Sequence, residues 1–480
     1  MKADYDPQVQ SLSVKRAEVE FHKFASLGEP ERVIATYLEE NRRRGGLIRK
    51  YLEFIGPMTP FLEIGSNAGH SSYMLANEFG AGGFALDISA DALRYGVALQ
   101  NLWGLSRAPV RVAGDALHLP FRDGSLRLVL AYQMLSQFMD IESVVVEVKR
   151  VLAPGGVFLF AEEPLRRLLS LRLYRCPYRN RMTPLERALD DWGLLGYLVK
   201  DVIGAEQEES FGIRQNHSMY LKDWRRLIEK HFVAYRDNVY VRERGWAQRW
   251  VKNLAVLLDP HRSLWRAAHL LGGTLAAVCR KEGTPPETLP GLERFEAFLR
   301  CPDCTGYFVR NPQETLVCTR CGYKAANEGG VYNLLPSSDR TALYPGDRED
   351  IIDFSLPGHE ARLLEGWYKL EGVYGNKYRW MSPRATARLK RVEPGPQRLR
   401  IRGFAHQPPA TLAVTANGTP LPALTLHRPG LFVYEADLPD APEYLLELRA
   451  RPVCTTPADD RALTLIVSLL RLVRRNPGRR

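Results

Sequence analysis

The stretch Phe61-Leu62-Glu63-Ile64-Gly65-Ser66-Asn67-Ala68-Gly69-His70-Ser71-Ser72 reads as a short apolar strand, a glycine-bearing turn and the opening of a helix. A glycine turn at such a junction lets backbone N–H groups face a ligand, and the helix N-terminus favours a negative group there. The spacing is Gly65-x-x-x-Gly69, so the G-x-G-x-x-G triplet of dinucleotide-binding turns is absent. Taken alone the turn fixes a strand–helix unit but no ligand.

Its surroundings say more. Downstream come GGFALDI, a helix from Ala90 to Leu102, VRVAGDA, LRLVLAY, a helix from Ile141 to Leu152 and GVFLFAEEP. Short apolar strands separated by amphipathic helices predict an α/β domain with a parallel sheet covered on both faces. FVAYRDNVYV and GGTLAAVCRK then read as an antiparallel edge pair. Asp87 ends the strand after the glycine turn, where a carboxylate can accept hydrogen bonds from both ribose hydroxyls of a nucleoside. Asp115 ends the third strand, where it can accept from an adenine amino group. Leu86, Ile88, Ala116 and Leu117 supply apolar walls for a ring.

In this order, residues 61–164 resemble the class I S-adenosylmethionine-dependent methyltransferases, closest to the small-molecule subgroup of ubiquinone and menaquinone biosynthesis. The resemblance implies a Rossmann-like, seven-stranded sheet with a helical insertion, and S-adenosyl-L-methionine as cofactor. It assigns Glu63, Gly65 and Gly69 to the methionine part of the cofactor, Asp87 to the ribose and Asp115 to the adenine, whose ring Ile88 and Ala116 would wall. The family usually has a further glycine where Asn67 stands. Asn tolerates left-handed backbone better than other non-glycine residues, so the turn is expected to survive with Asn67 as part of the cofactor site.

Methyl transfer from a sulfonium is an in-line displacement, so positioning and exclusion of water supply much of the rate. An oxygen or carbon acceptor must also lose a proton to a nearby side chain. Tyr132 and Gln133 after the fourth strand, and Glu162 and Glu163 after the fifth, stand where the family holds its acceptor. His217, in GIRQNHSMYLKDW, is the candidate from the insertion. Tyr132, Glu162 and His217 are therefore the catalytic candidates. Within the same insertion Arg166, Arg167, Arg172, Arg175, Arg179, Arg181 and Arg187 crowd together, either as a solvated cap surface or as a site for an anionic acceptor.

Cys301-Pro-Asp-Cys304 and Cys318-Thr-Arg-Cys321 are two C-x-x-C knuckles. Each brings two thiolates onto one metal face, and the pair completes a tetrahedral site for zinc, or iron in its place. No histidine or fifth ligand lies near, so the metal is expected to be structural. The stretch resembles the small zinc-ribbon partners of methyltransferases in translation and tRNA modification. Few basic or aromatic residues interleave between the knuckles, which favours packing on the catalytic domain over nucleic-acid reading.

From about residue 366 the chain alternates short apolar strands with turns at Asn417-Gly418 and Pro429-Gly430, an all-β pattern. Trp367-Tyr368…Glu371, Arg379-Trp380 and Asp460-Arg461-Ala462-Leu463 resemble a β-sandwich module appended to enzymes of bacterial polysaccharide biosynthesis. The expected organisation is a catalytic domain over 1–282 with its cap at 165–230, and a linker at 283–295. A zinc ribbon follows at 296–338, a second linker at 339–357, and a sandwich-like domain with a basic tail at 358–480.

The 480 residues, 45% apolar and 25% charged, describe a globular chain of about three domains in which long disorder is not the default. A formal charge of +11 favours acidic partners, and it admits peripheral contact with an anionic membrane. The first residues lack an apolar stretch, no run is long enough to span a bilayer, and paired cysteines suit a reducing compartment, so a cytoplasmic protein is expected. The leading reading is a methyltransferase acting on a small molecule or glycan precursor, as in cell-surface polysaccharide synthesis. The rivals are a tRNA or rRNA methyltransferase and a non-catalytic binding or scaffold protein that keeps the fold.

Overall fold

A computed structural model describes residues 7–24, 27–138, 140–166, 184–192, 219–241, 273–373, 376–456 and 459–474, with isolated positions between 246 and 268. His217 and most of the arginine-rich insertion lie outside the described residues. Two compact units emerge, one from Ala35–Val202 and Ser210–Arg340, the other from Met1–Ile34 and Thr341–Arg480. Among the described residues no helix is long and apolar enough to cross a membrane.

Helices α1 (Pro7–Phe24) and α2 (Pro30–Lys50) precede the first strand. The α/β unit then runs β1 (Phe61–Ile64), α3 (His70–Glu78), β2 (Gly83–Asp87), α4 (Ala90–Leu102), β3 (Val110–Ala113) and β4 (Leu126–Tyr132). It continues through α5 (Ile141–Val151), β5 (Leu152–Leu165), α6 (Leu221–His231), β6 (Ala234–Tyr240) and β7 (Gly273–Arg280). Strands β1 and β2 are buried at every position, as expected for strands covered on both faces. α4 and α5 begin where polar side chains cap them: Ser89 accepts from the Ala92 N–H, and Asp140 from that of Ser143.

β3, β2, β1, β4 and β5 pair in parallel, whereas β7 and β6 run antiparallel at one edge. The sheet is therefore mixed, and among the described residues it holds eight strands where seven were expected. Three short strands of the cysteine module, β8 (Phe308–Arg310), β9 (Leu316–Cys318) and β10 (Lys324–Ala325), form their own small sheet. The next, β11 (Val331–Asn333), leaves it and pairs in parallel with β3, outside the parallel core. An open β3 would expose a row of unpaired backbone groups, and β11 covers them. The module and the sheet share one apolar core: Phe84 meets Phe121 at 5.0 Å and Phe298 at 5.8 Å.

In the other unit, strands Trp367–Val373, Asn376–Met381, Ile466–Arg474, Gln397–Ala405 and Gly430–Asp437 form one antiparallel sheet, joined by Ile351–Asp353. Arg384–Lys390, Glu443–Arg451, Ala410–Ala416, Thr419–Pro420 and Leu424–Leu426 form a second. Leu399 and Ile401 of the first sheet share a core with Leu412, Val414, Leu446 and Leu448 of the second.

α1, expected to lead into the catalytic domain, packs instead on the first of these sheets. Phe24 and Leu27 join Ile351, Phe404, Ile466 and Leu469 in one apolar cluster. Beside it, buried Glu20 accepts from Arg402 Nε at 2.8 Å and Arg471 Nη1 at 2.8 Å, and lies 2.9 Å from Arg400 Nε. Burial alone would push this carboxyl up, but the three guanidinium groups hold it well below the usual carboxylate range.

A carboxyl depressed in the folded state stabilises fully above its unfolded value, near 4.5, and loses that stabilisation as pH falls toward the folded value. Glu20→Gln should cost about 3 kcal/mol at neutral pH, because buried Arg402 and the largely buried Arg471 lose the charge of Glu20, while Arg400 keeps Glu435. It should also flatten the acid limb of a urea-denaturation series. An acid limb as steep as that of the native chain would refute this account.

Candidate cofactor site

The proposed ligand-binding groups gather at the carboxyl ends of β1 to β5. There the glycine turn adopts left-handed backbone at three alternate positions: Gly65 (φ 64°), Asn67 (φ 52°) and Gly69 (φ 74°). Asn67 thus takes up the conformation glycine favours. A Cβ on Gly65 would lie 2.5 Å from Met134 Cγ, so any side chain there would collide with the loop after β4.

Asp87, 3% exposed, joins this turn to the second strand. Its Oδ2 accepts from the Asn67 N–H at 2.7 Å, and its Oδ1 accepts from the Ser89 N–H at 2.8 Å. Asp115 follows one residue beyond the Gly114 N–H that donates to Asp87 O, and its Oδ1 accepts from the Leu117 N–H. Ala116 is buried and Ile88 half-buried, whereas His118 is exposed. Glu63 is buried within β1, where Ser72 Oγ donates to it, and burial pushes its carboxyl pKa up.

The sequence reading did not find α2's part in the site. Arg44, 6% exposed, donates from Nη2 to Glu162 Oε2 at 2.8 Å and from Nη1 to Ser71 Oγ at 2.9 Å, with its guanidinium 4.4 Å from the Tyr132 ring centroid. His70 Nε2 lies 2.8 Å from both Arg44 Nη1 and Glu40 Oε2. That nitrogen can serve one of them, accepting from Arg44 or donating to Glu40. Tyr37 stacks on the same imidazole at 4.1 Å. Burial would raise Glu40's carboxyl, but Arg44 and His70 pull it down to about 2. The signal was present: Tyr37, Glu40 and Arg44 fall at i, i+3 and i+7 of one helix, on a common face.

The catalytic candidates fare differently. Tyr132 is buried, and burial pushes its hydroxyl far above the ordinary range, so at neutral pH it keeps its proton and has one to offer a ligand. Glu162 sits at a bulge in β5 with φ 65°, a backbone strain that turns its carboxylate toward Arg44 and Arg43. Glu163 instead accepts the Met134, Leu135 and Ser136 N–H groups and so anchors the loop after β4.

Ser66 Oγ, His70 Nδ1 and Tyr132 Oη are buried yet have no hydrogen-bond partner among the described residues. Buried polar atoms are normally satisfied, so these three fit a bound polar ligand. In the cysteine module the four Sγ atoms lie within 4.8 Å of one another, with Cys301–Cys321 at 3.6 Å and Cys304–Cys318 at 3.5 Å.

Residues 62–160 match the family described as methyltransferase domain. Over 95 residues, 20% of this chain and 26% of the relative, the chain is 36% identical to a probable chloroplastic tocopherol O-methyltransferase from Oryza sativa subsp. japonica. It is 35% identical to a demethylmenaquinone methyltransferase from Thermobifida fusca, over 23% of this chain and 48% of that one. It is 24% identical to a 2-methyl-6-phytyl-1,4-hydroquinone methyltransferase from Synechocystis, over 42% of this chain and 60% of that one. The matches thus span from about a quarter to three-fifths of these relatives' lengths.

Proposed function

We propose that the chain transfers a methyl group from S-adenosyl-L-methionine to a small-molecule acceptor. The observation that carries this reading is the Asp87 carboxylate bonded to the backbone of the glycine turn, within a segment that matches a methyltransferase domain. Glu63, Gly65, Asn67 and Gly69 would hold the amino-acid end of the cofactor, Asp87 the ribose, and Asp115 with the apolar walls Ile88 and Ala116 the adenine. When bound, the cofactor supplies an electrophilic methyl group on a sulfonium.

The chain's own residues orient and shield that group. Tyr132 offers a hydroxyl donor, His70 its unpartnered Nδ1, and the Arg44–Glu162 pair a charged wall. Glu162, half-buried, is the proton acceptor we assign among the described candidates, with His217 as its alternative from the insertion. The names of the three relatives quoted above point to phenolic and quinol acceptors, which therefore lead an acceptor screen. A glycan precursor, suggested by the all-β unit and its half-buried Trp367 and Tyr368, comes second.

We also propose zinc in the cysteine module. Four thiolates at the Zn–S distance of about 2.3 Å stand about 3.8 Å apart in a tetrahedron, close to the 3.5 and 3.6 Å separations of the two sulfur pairs. A full thiolate set leaves no open position, so the role is structural. Because β11 pairs with β3 and the segment before Cys301 bonds to the loop between β3 and β4, a nucleic-acid-reading ribbon is disfavoured.

The test is calorimetric titration of the zinc-loaded full chain with S-adenosylmethionine, repeated with Asp87→Ala. Micromolar binding is expected, weakened at least 100-fold in the variant because both the ribose acceptor and the Asn67 N–H partner are removed. No binding by the intact chain would overturn the methyltransferase reading.

A further inference from the structure

The loop between β3 and β4 carries Asp115 and Ala116, and the cysteine module grips it at both ends. At its start, the Leu334 N–H donates to Ala113 O at 2.8 Å, next to the β11–β3 pairing of Asn333 with Ala113. At its end, the Arg122 N–H donates to Phe298 O at 2.8 Å, and the Arg300 N–H to Pro120 O at 3.1 Å. Arg122 Nε adds a bond to Leu299 O at 3.1 Å.

The two grips come from opposite sides of the cysteine cluster. Residues 298–300 run directly into Cys301. Residues 331–335 are tied to the second knuckle by Tyr323, whose hydroxyl is within hydrogen-bonding distance of Asn333 O at 3.0 Å and Leu335 O at 2.7 Å. The Tyr323 carbonyl in turn accepts from the Cys318 N–H at 2.8 Å. Closing the four sulfurs on one ion therefore fixes the spacing between the grips. Outside β8–β10, hydrogen bonds such as Thr319 N–H to Tyr307 O bridge the knuckles.

We propose that the metal-closed cysteine module positions the adenine end of the cofactor site, so that metal occupancy sets cofactor affinity through the 114–122 loop. This rests on the reading of Asp115 and Ala116 as adenine contacts. Metal binding drives folding of such modules, because the site does not pre-exist in the open chain. Loss of the ion lets the two grips separate, and the loop loses its fixed ends. The parallel strands β1, β4 and β5 pair with no strand of the module and keep their own pairing.

The experiment compares zinc-loaded, chelator-stripped and zinc-restored full chain, reading S-adenosylmethionine affinity by calorimetry and backbone hydrogen exchange by mass spectrometry. Stripping should weaken binding at least tenfold and raise exchange over 110–122, while 126–132 and 157–160 stay protected. Restoring zinc should reverse both changes. Tyr323→Phe keeps all four thiolates but removes the hydroxyl's tie to Asn333 and Leu335. It should bind zinc one to one and still lose affinity by about threefold to tenfold. Failure to bind zinc, unchanged affinity after stripping, or unprotected exchange across the whole sheet with Tyr323→Phe behaving as wild type would each overturn the proposal. If the zinc-loaded chain binds no S-adenosylmethionine, the cofactor reading fails by itself, and local exchange over 110–122 alone decides whether the grip exists.

Discussion

Arg44→Ala is expected to destabilise the α/β unit by about 3–5 kcal/mol and to abolish cofactor binding, because it removes the cation around which the site's carboxylates are arranged. Glu162 and Glu40 both face Arg44, at 2.8 and 3.3 Å. Glu162 retains Arg43 at 3.3 Å and Glu40 retains His70 at 2.8 Å, so the loss should fall at the lower end of that range. The sign of the pH dependence is fixed by Glu40. Its folded value of about 2 lies below the unfolded 4.5, so its stabilisation is complete above pH ~4.5 and is lost as pH falls toward ~2. Without Arg44 that carboxyl titrates higher, and the gap between wild type and variant should narrow in acid. Arg44→Met combined with Glu162→Gln should recover part of the loss, since the uncompensated charge goes with its partner. Urea midpoints at pH 7 and pH 3 measure the stability differences, and calorimetric titration with S-adenosylmethionine measures the binding; a deficit below 1 kcal/mol at pH 7 would show that the cluster is not held by Arg44.

The sequence made the centre of the α/β unit legible because its signals are local. Each strand is a short apolar run, each helix a periodic one, and the Gly65–Gly69 turn with Asp87 lies within one βαβ unit. What escaped reading depends on partners far apart in the chain. Arg44 meets Glu162 across 118 residues, and Glu20 meets Arg402 across 382. Periodicity identifies a buried face without naming what covers it. The α1 helix is amphipathic on either unit, and only the buried Glu20 opposite three arginines selects the β-rich one. Likewise Val331-Tyr332-Asn333 is too short to read as a strand, and becomes one because β3 offers an open edge. The knuckle spacing was legible, but the two grips on the 114–122 loop were not. They are backbone hydrogen bonds, which depend on register and leave no mark on residue type.

Glu163→Ala should cost about 3–5 kcal/mol, as much as losing Arg44, for a different reason. Glu163 is fully buried and accepts three consecutive backbone N–H groups: Oε1 those of Met134 and Leu135 at 2.9 and 2.8 Å, Oε2 that of Ser136 at 2.9 Å. Truncation leaves all three donors buried with no acceptor, at about 1–3 kcal/mol each before relaxation. Burial raises this carboxyl's pKa while the three N–H groups oppose the rise, so both its charge and its accepted N–H bonds bear on the loop. Glu163→Gln therefore separates the two contributions. Its amide oxygen can keep the Met134 and Leu135 bonds, but its NH2 turns toward the Ser136 N–H, so a cost of about 1–2 kcal/mol is expected. The functional consequence follows from Met134, which fills the space above Gly65 and so braces the glycine turn. A loosened 133–137 loop should weaken S-adenosylmethionine binding at least tenfold in Glu163→Ala, although Glu163 makes no proposed contact with the cofactor. Urea denaturation and calorimetry on the two variants decide it. Equal costs for Ala and Gln would mean that charge, and not the count of accepted N–H groups, holds the loop. Unchanged affinity in Glu163→Ala would mean that the turn stands without its brace.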